Sequence, residues 1–264
     1  MNLKEDDLEN IVELFGILAN QKRRQMLQTC SDRGQSLAHL SRSLGMGILA
    51  TKKHLSMLQK SELVEKKNGT FSTTQVGHGL IQKINSFEFL GRHKDFFSVH
   101  RFGDVSPSLI RRIGDLKECE FYYGFHLALP RWSKIARQAR KYLDLIFLHP
   151  PIIIADSIKP HVDAGMKIRL LIGKNSRITE CNEFVSTLDL HKPKIRQNFE
   201  KRRCGQVQVN LIMSEKEACL IFPNNEGITD MHGNFVSRNP DFVAWCHDFF
   251  EQKWSEGEAI SRLR

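Results

Sequence analysis

An Asn68-Gly69 pair, set between two short β-prone runs and preceded by four amphipathic helical segments, constrains this chain more than any other feature. Asn-Gly favours a two-residue hairpin turn because both of its central residues tolerate positive φ. The pair predicts a hairpin over 61–74, with Lys66 and Lys67 at the approach to its tip. Upstream, Leu8, Ile11, Val12, Phe15 and Leu18 recur at helical spacing. A second helix is expected from Lys22 to Cys30, with Met26 and Leu27 inward, the turn Ser31 to Gly34 after it and Gly34 as a left-handed cap. Ser36 is placed to cap a short third helix with Leu37, Leu40 and Leu44 on its apolar face. Gly45-Met46-Gly47 then turns the chain into a fourth helix, Ile48 to Lys60, with Ile48, Leu55 and Leu58 inward and Thr51, Lys52, His54 and Ser56 outward. Helix, helix-turn-helix and lysine-bearing hairpin together make a winged helix.

The charge supports a role for that unit. The 264 residues hold 39 Lys+Arg against 30 Asp+Glu, a net +9, which favours anionic partners without specifying a fold. Residues 1–19 are acidic, with Lys4 opposed by Glu5, Asp6, Asp7, Glu9 and Glu13. Between 20 and 80 the sign reverses: Lys22, Arg23, Arg24, Arg33, Arg42, Lys52, Lys53, Lys60, Lys66 and Lys67 face only Asp32, Glu62 and Glu65. Such a local basic excess on one small module is the electrostatic footprint of DNA binding. No stretch reaches the roughly 18 uninterrupted apolar residues of a membrane span. The polar, acidic start does not read as a signal peptide. Cys30, Cys119, Cys181, Cys204, Cys219 and Cys246 are scattered, without a CxxC pair, and read as reduced core residues of a cytoplasmic protein. No metal and no cofactor is expected.

Residues running from Ile17 through Gly77, ILANQKRRQML followed by LAHLSRSLGMGILATKKHLSMLQKSELVEKKNGTFSTTQVG, resemble the ArsR-like winged-helix repressors over about sixty positions. The resemblance implies that the helix holding Ala50 to Leu58 enters the major groove while the hairpin touches the minor groove or backbone. The cysteine pair that some of those repressors carry for metal sensing is missing from 48–60. On side-chain chemistry, Thr51, Lys52, Lys53 and Ser56 are assigned to the groove, Arg23, Arg24, Ser41 and Arg42 to phosphates, and Lys66, Lys67 and Asn68 to the wing.

The remaining chain reads as α/β. A helix over Pro107 to Leu116, a strand over Cys119 to Tyr123 and a helix from Leu127 to Tyr142 with Trp132, Ile135, Ala136 and Ala139 on one face are expected. A strand at 143–148, a helix from Ile153 ending at Gly165 and a strand at 167–172 give β-α-β order, hence parallel pairing. Strands at Val207 to Met213 and Ala218 to Phe222 and a helix from about Pro240 to Glu256 complete the reading. Trp245, Phe249, Phe250 and Trp254 form an aromatic stripe expected to pack in a core or dimer interface. Lys192, Lys194, Arg196, Lys201, Arg202 and Arg203 read as a solvated loop-helix face, and His126, Tyr122, Tyr123 and Arg169 as candidates for a ligand site at strand ends.

HRFGDVSPSLIRRIGDLKECEF, EKEACLIFP and GNFVSRNPDFVAWCHDFFEQKW resemble archaeal methanogenesis-regulator-type transcription factors over most of 90–255. The layout around Gly165 to Arg169 is also similar to the phospholipase D-like sensor domains of archaeal TrmB-type regulators. The catalytic counterpart of those domains needs a His with a Lys two residues on, and none of the eleven histidines has one. GxSxG, GxxxxGK[ST] and HExxH are likewise missing. The expectation is therefore two domains: a winged helix at 1–80, a linker helix at 81–95 and, at 96–264, an α/β sandwich, phospholipase D-like without the catalytic motif. Its function is expected to be transcription regulation rather than catalysis, through double-stranded DNA, a homodimer, and an effector domain that senses a small molecule, dimerises, or both. The alternatives are a phospholipase D-like phosphodiesterase and a winged-helix protein-interaction adaptor.

Overall fold

The computed structural model describes residues 5–188 and 197–260, in two units, Met1–Asn85 and Ser86–Arg264. Unit 1 begins with α1 (Glu5–Leu18) and α2 (Gln21–Asp32). Asn20 caps α2 by accepting a 3.1 Å hydrogen bond from the Arg23 N–H, satisfying one of the helix's orphan donors. The chain leaves α2 through Arg33 in an extended conformation and runs directly into β1 (Gln35–Ser36), so the left-handed cap expected at Gly34 is not formed. Ser36 caps α3 (Leu37–Ser43) as expected, accepting from the His39 N–H at 3.2 Å.

Next come α4 (Ile48–Lys60), β2 (Val64–Lys67) and β3 (Thr70–Thr73). The β2–β3 hairpin turns through Asn68 and Gly69, both at positive φ (50° and 80°), and its register pairs Lys67 with Thr70. β3 also pairs with β1, making a three-stranded sheet in the order β1-β3-β2. Beneath it lie Met26, Leu27, Leu40, Leu55, Leu58, Leu63 and Phe71 in one core, each buried side chain worth about 1.5–3 kcal/mol. α5 (Gln75–Arg92) starts six residues before the linker helix expected at 81–95 and contains Gly77 and Gly79. A Cβ at Gly77 would lie 2.4 Å from the Leu63 carbonyl oxygen, so only glycine lets the helix approach the backbone leading into β2 this closely. Ile81 and Ile84 of α5 close the unit 1 core, whereas Phe89 belongs to a core of unit 2.

Unit 2 is a single eight-stranded mixed sheet between two helical layers. It contains α6 (Lys94–Phe97), α7 (Pro107–Ile110), a 3-10 turn (Ile113–Leu116), β4 (Glu120–Tyr123), α8 (Phe125–Gln138), β5 (Tyr142–Phe147), α9 (Ile152–Asp163) and β6 (Lys167–Gly173). After α10 (Ile178–Thr187) follow β7 (Phe199–Cys204), β8 (Asn210–Ser214), β9 (Ala218–Ile221), β10 (Gly233–Ser237), α11 (Pro240–Glu256) and β11 (Glu258–Ala259). The strand order is β11-β7-β6-β5-β8-β9-β10-β4, with β5, β6 and β7 mutually parallel. Alternation along β5 sends Leu143, Leu145 and Phe147 to the α8/α9/α10 side and Ile146 to the α11 side.

Several boundaries differ from expectation for local reasons. The helix expected to reach Tyr142 ends at Gln138, because Ala139 turns extended and the Glu215 carboxylate captures the Arg140 and Lys141 N–H groups; Tyr142 is already in β5. Pro107 to Leu116 is a short helix and a 3-10 turn rather than one helix. Lys201, Arg202 and Arg203 lie on strand β7 rather than a loop-helix face, while Lys192, Lys194 and Arg196 fall outside the described residues. The aromatic stripe of α11 is core, and Trp245 donates its indole N–H to the Leu109 carbonyl at 3.0 Å. Cys30, Cys119, Cys204, Cys219 and Cys246 are free thiols, and burial pushes those of Cys30, Cys119 and Cys219 up to about 12.

Two polar groups inside unit 2 carry stability. Arg169 of β6 grips Asp144 of β5 through two bonds of 2.7 and 2.6 Å, Asp144 being wholly buried, and reaches Glu251 of α11 at 2.8 Å. The guanidinium also stacks 4.4 Å over Phe250, so one cation ties two strands to the covering helix. Asp144→Ala leaves that buried cation short of its main partner and is expected to cost about 3 kcal/mol in urea unfolding; the paired change Asp144→Leu with Arg169→Met recovers most of it.

His93 sits among Phe89, Phe121 and Phe235 at ring separations of 4.9, 5.5 and 5.0 Å, and burial, with Arg92 nearby, lowers its pKa to about 4. The unfolded chain takes up a proton near pH 6.5 that the folded chain refuses until about pH 4. Stability is therefore complete above pH 6.5 and falls by up to about 3 kcal/mol as pH drops toward 4. Urea melts at pH 7.5 and 4.5 are expected to differ less by that amount in His93→Phe than in the parent.

Candidate nucleic-acid interface

The residues of α4 divide along two opposite lines. Thr51, Leu55 and Leu58 point into the core, and the Thr51 hydroxyl donates to the Gly47 carbonyl at 3.0 Å. Four- and three-residue steps then place Leu49, Lys53, Ser56 and Lys60 on the outward line, and all four are exposed. Lys52 is exposed beside them. His54 is half-buried, and burial together with Arg23 and Lys53 holds its imidazole below the ordinary value.

This corrects one groove assignment and one core assignment. Thr51 is fully buried and cannot reach DNA, whereas Ile48, expected inward, is 58% exposed. The inward line ends at Thr51, and one turn earlier there is no core left for Ile48 to enter. Lys52, Lys53 and Ser56 do share one exposed surface.

Of the four phosphate assignments Ser41 is corrected, and Arg23 and Arg24 are engaged within unit 1. Ser41 is buried, its hydroxyl donating to the Met46 carbonyl at 2.5 Å to lock the turn before α4. Arg23 donates to the Ile17 and Gly16 carbonyls at 2.6 and 2.9 Å, and Arg24 to the Leu18 and Ala19 carbonyls at 2.6 and 3.1 Å. Both guanidinium groups thus satisfy the orphan carbonyls ending α1, where cations also suit the helix dipole. Lys22 does the same for α3, reaching the Leu44 carbonyl at 2.8 Å. Arg42 is exposed, its Nε donating to Ala38 at 3.3 Å.

In the wing, Lys66, Lys67 and Asn68 are exposed at the hairpin tip. Lys66 lies 5.5 Å over the Phe71 ring, and Lys67 pairs with Glu65 at 2.7 Å. That ion pair is solvent-facing and weak, so a phosphate can replace the carboxylate at little cost. Leu49 and Lys60 escaped the sequence reading of this surface; extending the Lys53–Ser56 line by one turn in each direction finds both.

The strand-end candidates of unit 2 do not converge. Tyr122 and Tyr123 lie on the edge strand β4 and His126 in the first turn of α8 that follows it, Tyr122 hydrogen-bonded to Glu120, whereas Arg169 stands on β6 with four strands between and is engaged by Asp144. Among the described residues no group of three or more His, Cys, Asp and Glu side chains is placed to hold a metal ion. No described helix is long and apolar enough to cross a membrane.

Residues 23–91 match the family model for the winged helix-turn-helix, in agreement with the order of elements found there. No curated protein sequence matches the chain. Among solved structures, the chain is similar to TrmBL2, described as an archaeal chromatin protein with a novel mode of DNA binding (14% identity, 90% of this chain and 92% of that one, TM-score 0.43). Reduced HlyU from Vibrio cholerae aligns with 31% of this chain and 90% of its own at 26% identity (TM-score 0.28). NucT from Helicobacter pylori aligns with 54% and 99% at 13% identity (TM-score 0.39). TM-scores this low do not establish a shared fold.

Because Arg23 serves α1 rather than the outward face, Arg23→Ala is expected to lower the stability of the protein by about 1 kcal/mol. The salt dependence of DNA binding should stay as it is, which titrations at several ionic strengths will check.

Proposed function

We propose that the protein is a sequence-specific regulator of transcription whose winged helix binds double-stranded DNA. The observation that carries this reading is the single exposed surface of α4 bearing Lys52, Lys53, Ser56 and Lys60, followed in the chain by a wing tipped with Lys66, Lys67 and Asn68. A helix with its neutral line buried and its cationic line exposed suits the major groove, where phosphates flank readable base edges. Lysines there position the protein, and the uncharged outward side chains discriminate. The match of residues 23–91 to the winged helix-turn-helix supports the same assignment. An adaptor built on this fold has no need of such a charge.

The finer parts of the proposal are a homodimer and an effector-sensing unit 2. Leu8, Ile11, Val12 and Phe15 on α1 are 49, 38, 70 and 58% exposed, an apolar stripe on an otherwise acidic helix that supports a second copy as its cover. Two copies reading a palindromic site multiply the contact one module can make. The resemblance of 90–255 to archaeal effector-domain regulators, with a phospholipase D-like sandwich lacking the His-x-Lys pair, supports a sensing rather than a hydrolytic role for unit 2. An effector acts there by binding DNA-competent and incompetent arrangements unequally.

The test is binding to the protein's own upstream DNA and to random duplex across a salt series. About a thousandfold preference for the former is expected; equal binding to both, or none, defeats the reading. In the same assay Lys52→Ala with Lys53→Ala should reduce the slope of log affinity against log salt by about 1.8 for each protomer on the DNA. An unchanged slope removes both lysines from the phosphate contacts.

A further inference from the structure

Leu49 is 83% exposed, more than any other large apolar side chain described in the chain. It stands in the first turn of α4, on the same outward line as Lys53 and Ser56. The turn before it is open: a Cβ at Gly45 or Gly47 would meet nothing within 4 Å. Its flanks, Ile48 and Ala50, are exposed as well. An apolar group held this far into water at the leading end of a cationic helix gains nothing for the folded chain on its own.

The composition of α4 narrows what it can read. The helix contains no Arg, Asn, Asp or Glu, and its one Gln, Gln59, is half-buried toward the other end. The side chains that recognise guanine by a two-bond Arg fork, or adenine by an amide, are thus missing from the leading turns. What those turns present is an aliphatic surface followed by an ammonium group. The major groove offers one apolar group of its own, the C5 methyl of thymine.

We infer that Leu49 is a specificity-determining residue that packs against a thymine methyl in each half-site. The inference rests on the DNA-binding reading above and adds the base chemistry to it. Leu49 and Lys53 are four residues apart, about 6 Å along the helix, against about 3.4 Å per base step. The thymine therefore lies within about two base pairs of the phosphate that Lys53 meets.

The experiment uses the full chain. The preferred duplex is selected from a random pool, and each of its thymines is then replaced singly by deoxyuridine, which lacks only the methyl. One buried methyl corresponds to about a fourfold change in affinity. The parent protein should lose about that factor at one thymine per half-site. Leu49→Ala should bind the thymine duplex several-fold more weakly and lose nothing further on deoxyuridine replacement there, while Leu49→Met keeps the methyl dependence. Because Leu49 is exposed and uncharged, Leu49→Ala should keep both the parent's melting temperature and its salt slope. A preferred duplex bound equally well without any of its thymine methyls, or a Leu49→Ala protein with the parent's full methyl dependence, overturns this inference and leaves the regulator reading standing. Selection that enriches no sequence overturns both.

Discussion

The burial of Thr51, Leu55 and Leu58 along one line of α4 decides how the rest of unit 1 can act. Leucines 55 and 58 lie in the core with Met26 and Leu27 of α2 and Leu40 of α3. A helix has only one face opposite a given one, so packing this line inward sends Leu49, Lys53, Ser56 and Lys60 outward without further interaction. Around it, polar groups that look like DNA contacts close the frame instead. Ser41 locks the turn before α4, and Arg23, Arg24 and Lys22 finish the carbonyl ends of α1 and α3.

Unit 2 buries its polar groups at a few costly points. Asp144, Arg169 and Glu251 link the centre of the sheet to α11, and Glu217, 2% exposed, is held by Arg131 and Arg238 at 2.5 and 2.8 Å. Removing one partner from such a set is expensive because it strands the other in a medium that solvates charge poorly. α5 serves both units, giving Ile81 and Ile84 to one core and Phe89 to the other. The aromatic cluster that receives Phe89 includes His93, whose neutral form is the one the fold accepts.

Where local chemistry was decisive, the sequence was sufficient. The bounds of α4 and α11 follow from Gly47 and from Asn239-Pro240, and the Asn68-Gly69 turn defines β2 and β3. Parallel pairing of β5 with β6 followed from their order around α9. By contrast, β7 escaped notice because Glu200 to Arg203 carry charges in succession, and only neighbours on both sides make them a strand. Arg23 and Arg24 looked like phosphate ligands because a sequence does not show that α1 ends beside them.

From the sequence alone came the winged-helix order, the basic excess between 20 and 80, the alternating α/β character beyond it and the lack of a His-x-Lys pair. These are matters of composition, spacing and turn chemistry, which act over a few residues. The tertiary structure decided which charged and hydroxyl groups remain available to a partner. Thr51 and Ile48 exchanged their expected sides because helical periodicity gives a stripe but not its end, and where a core stops depends on what the neighbouring helices bring to it.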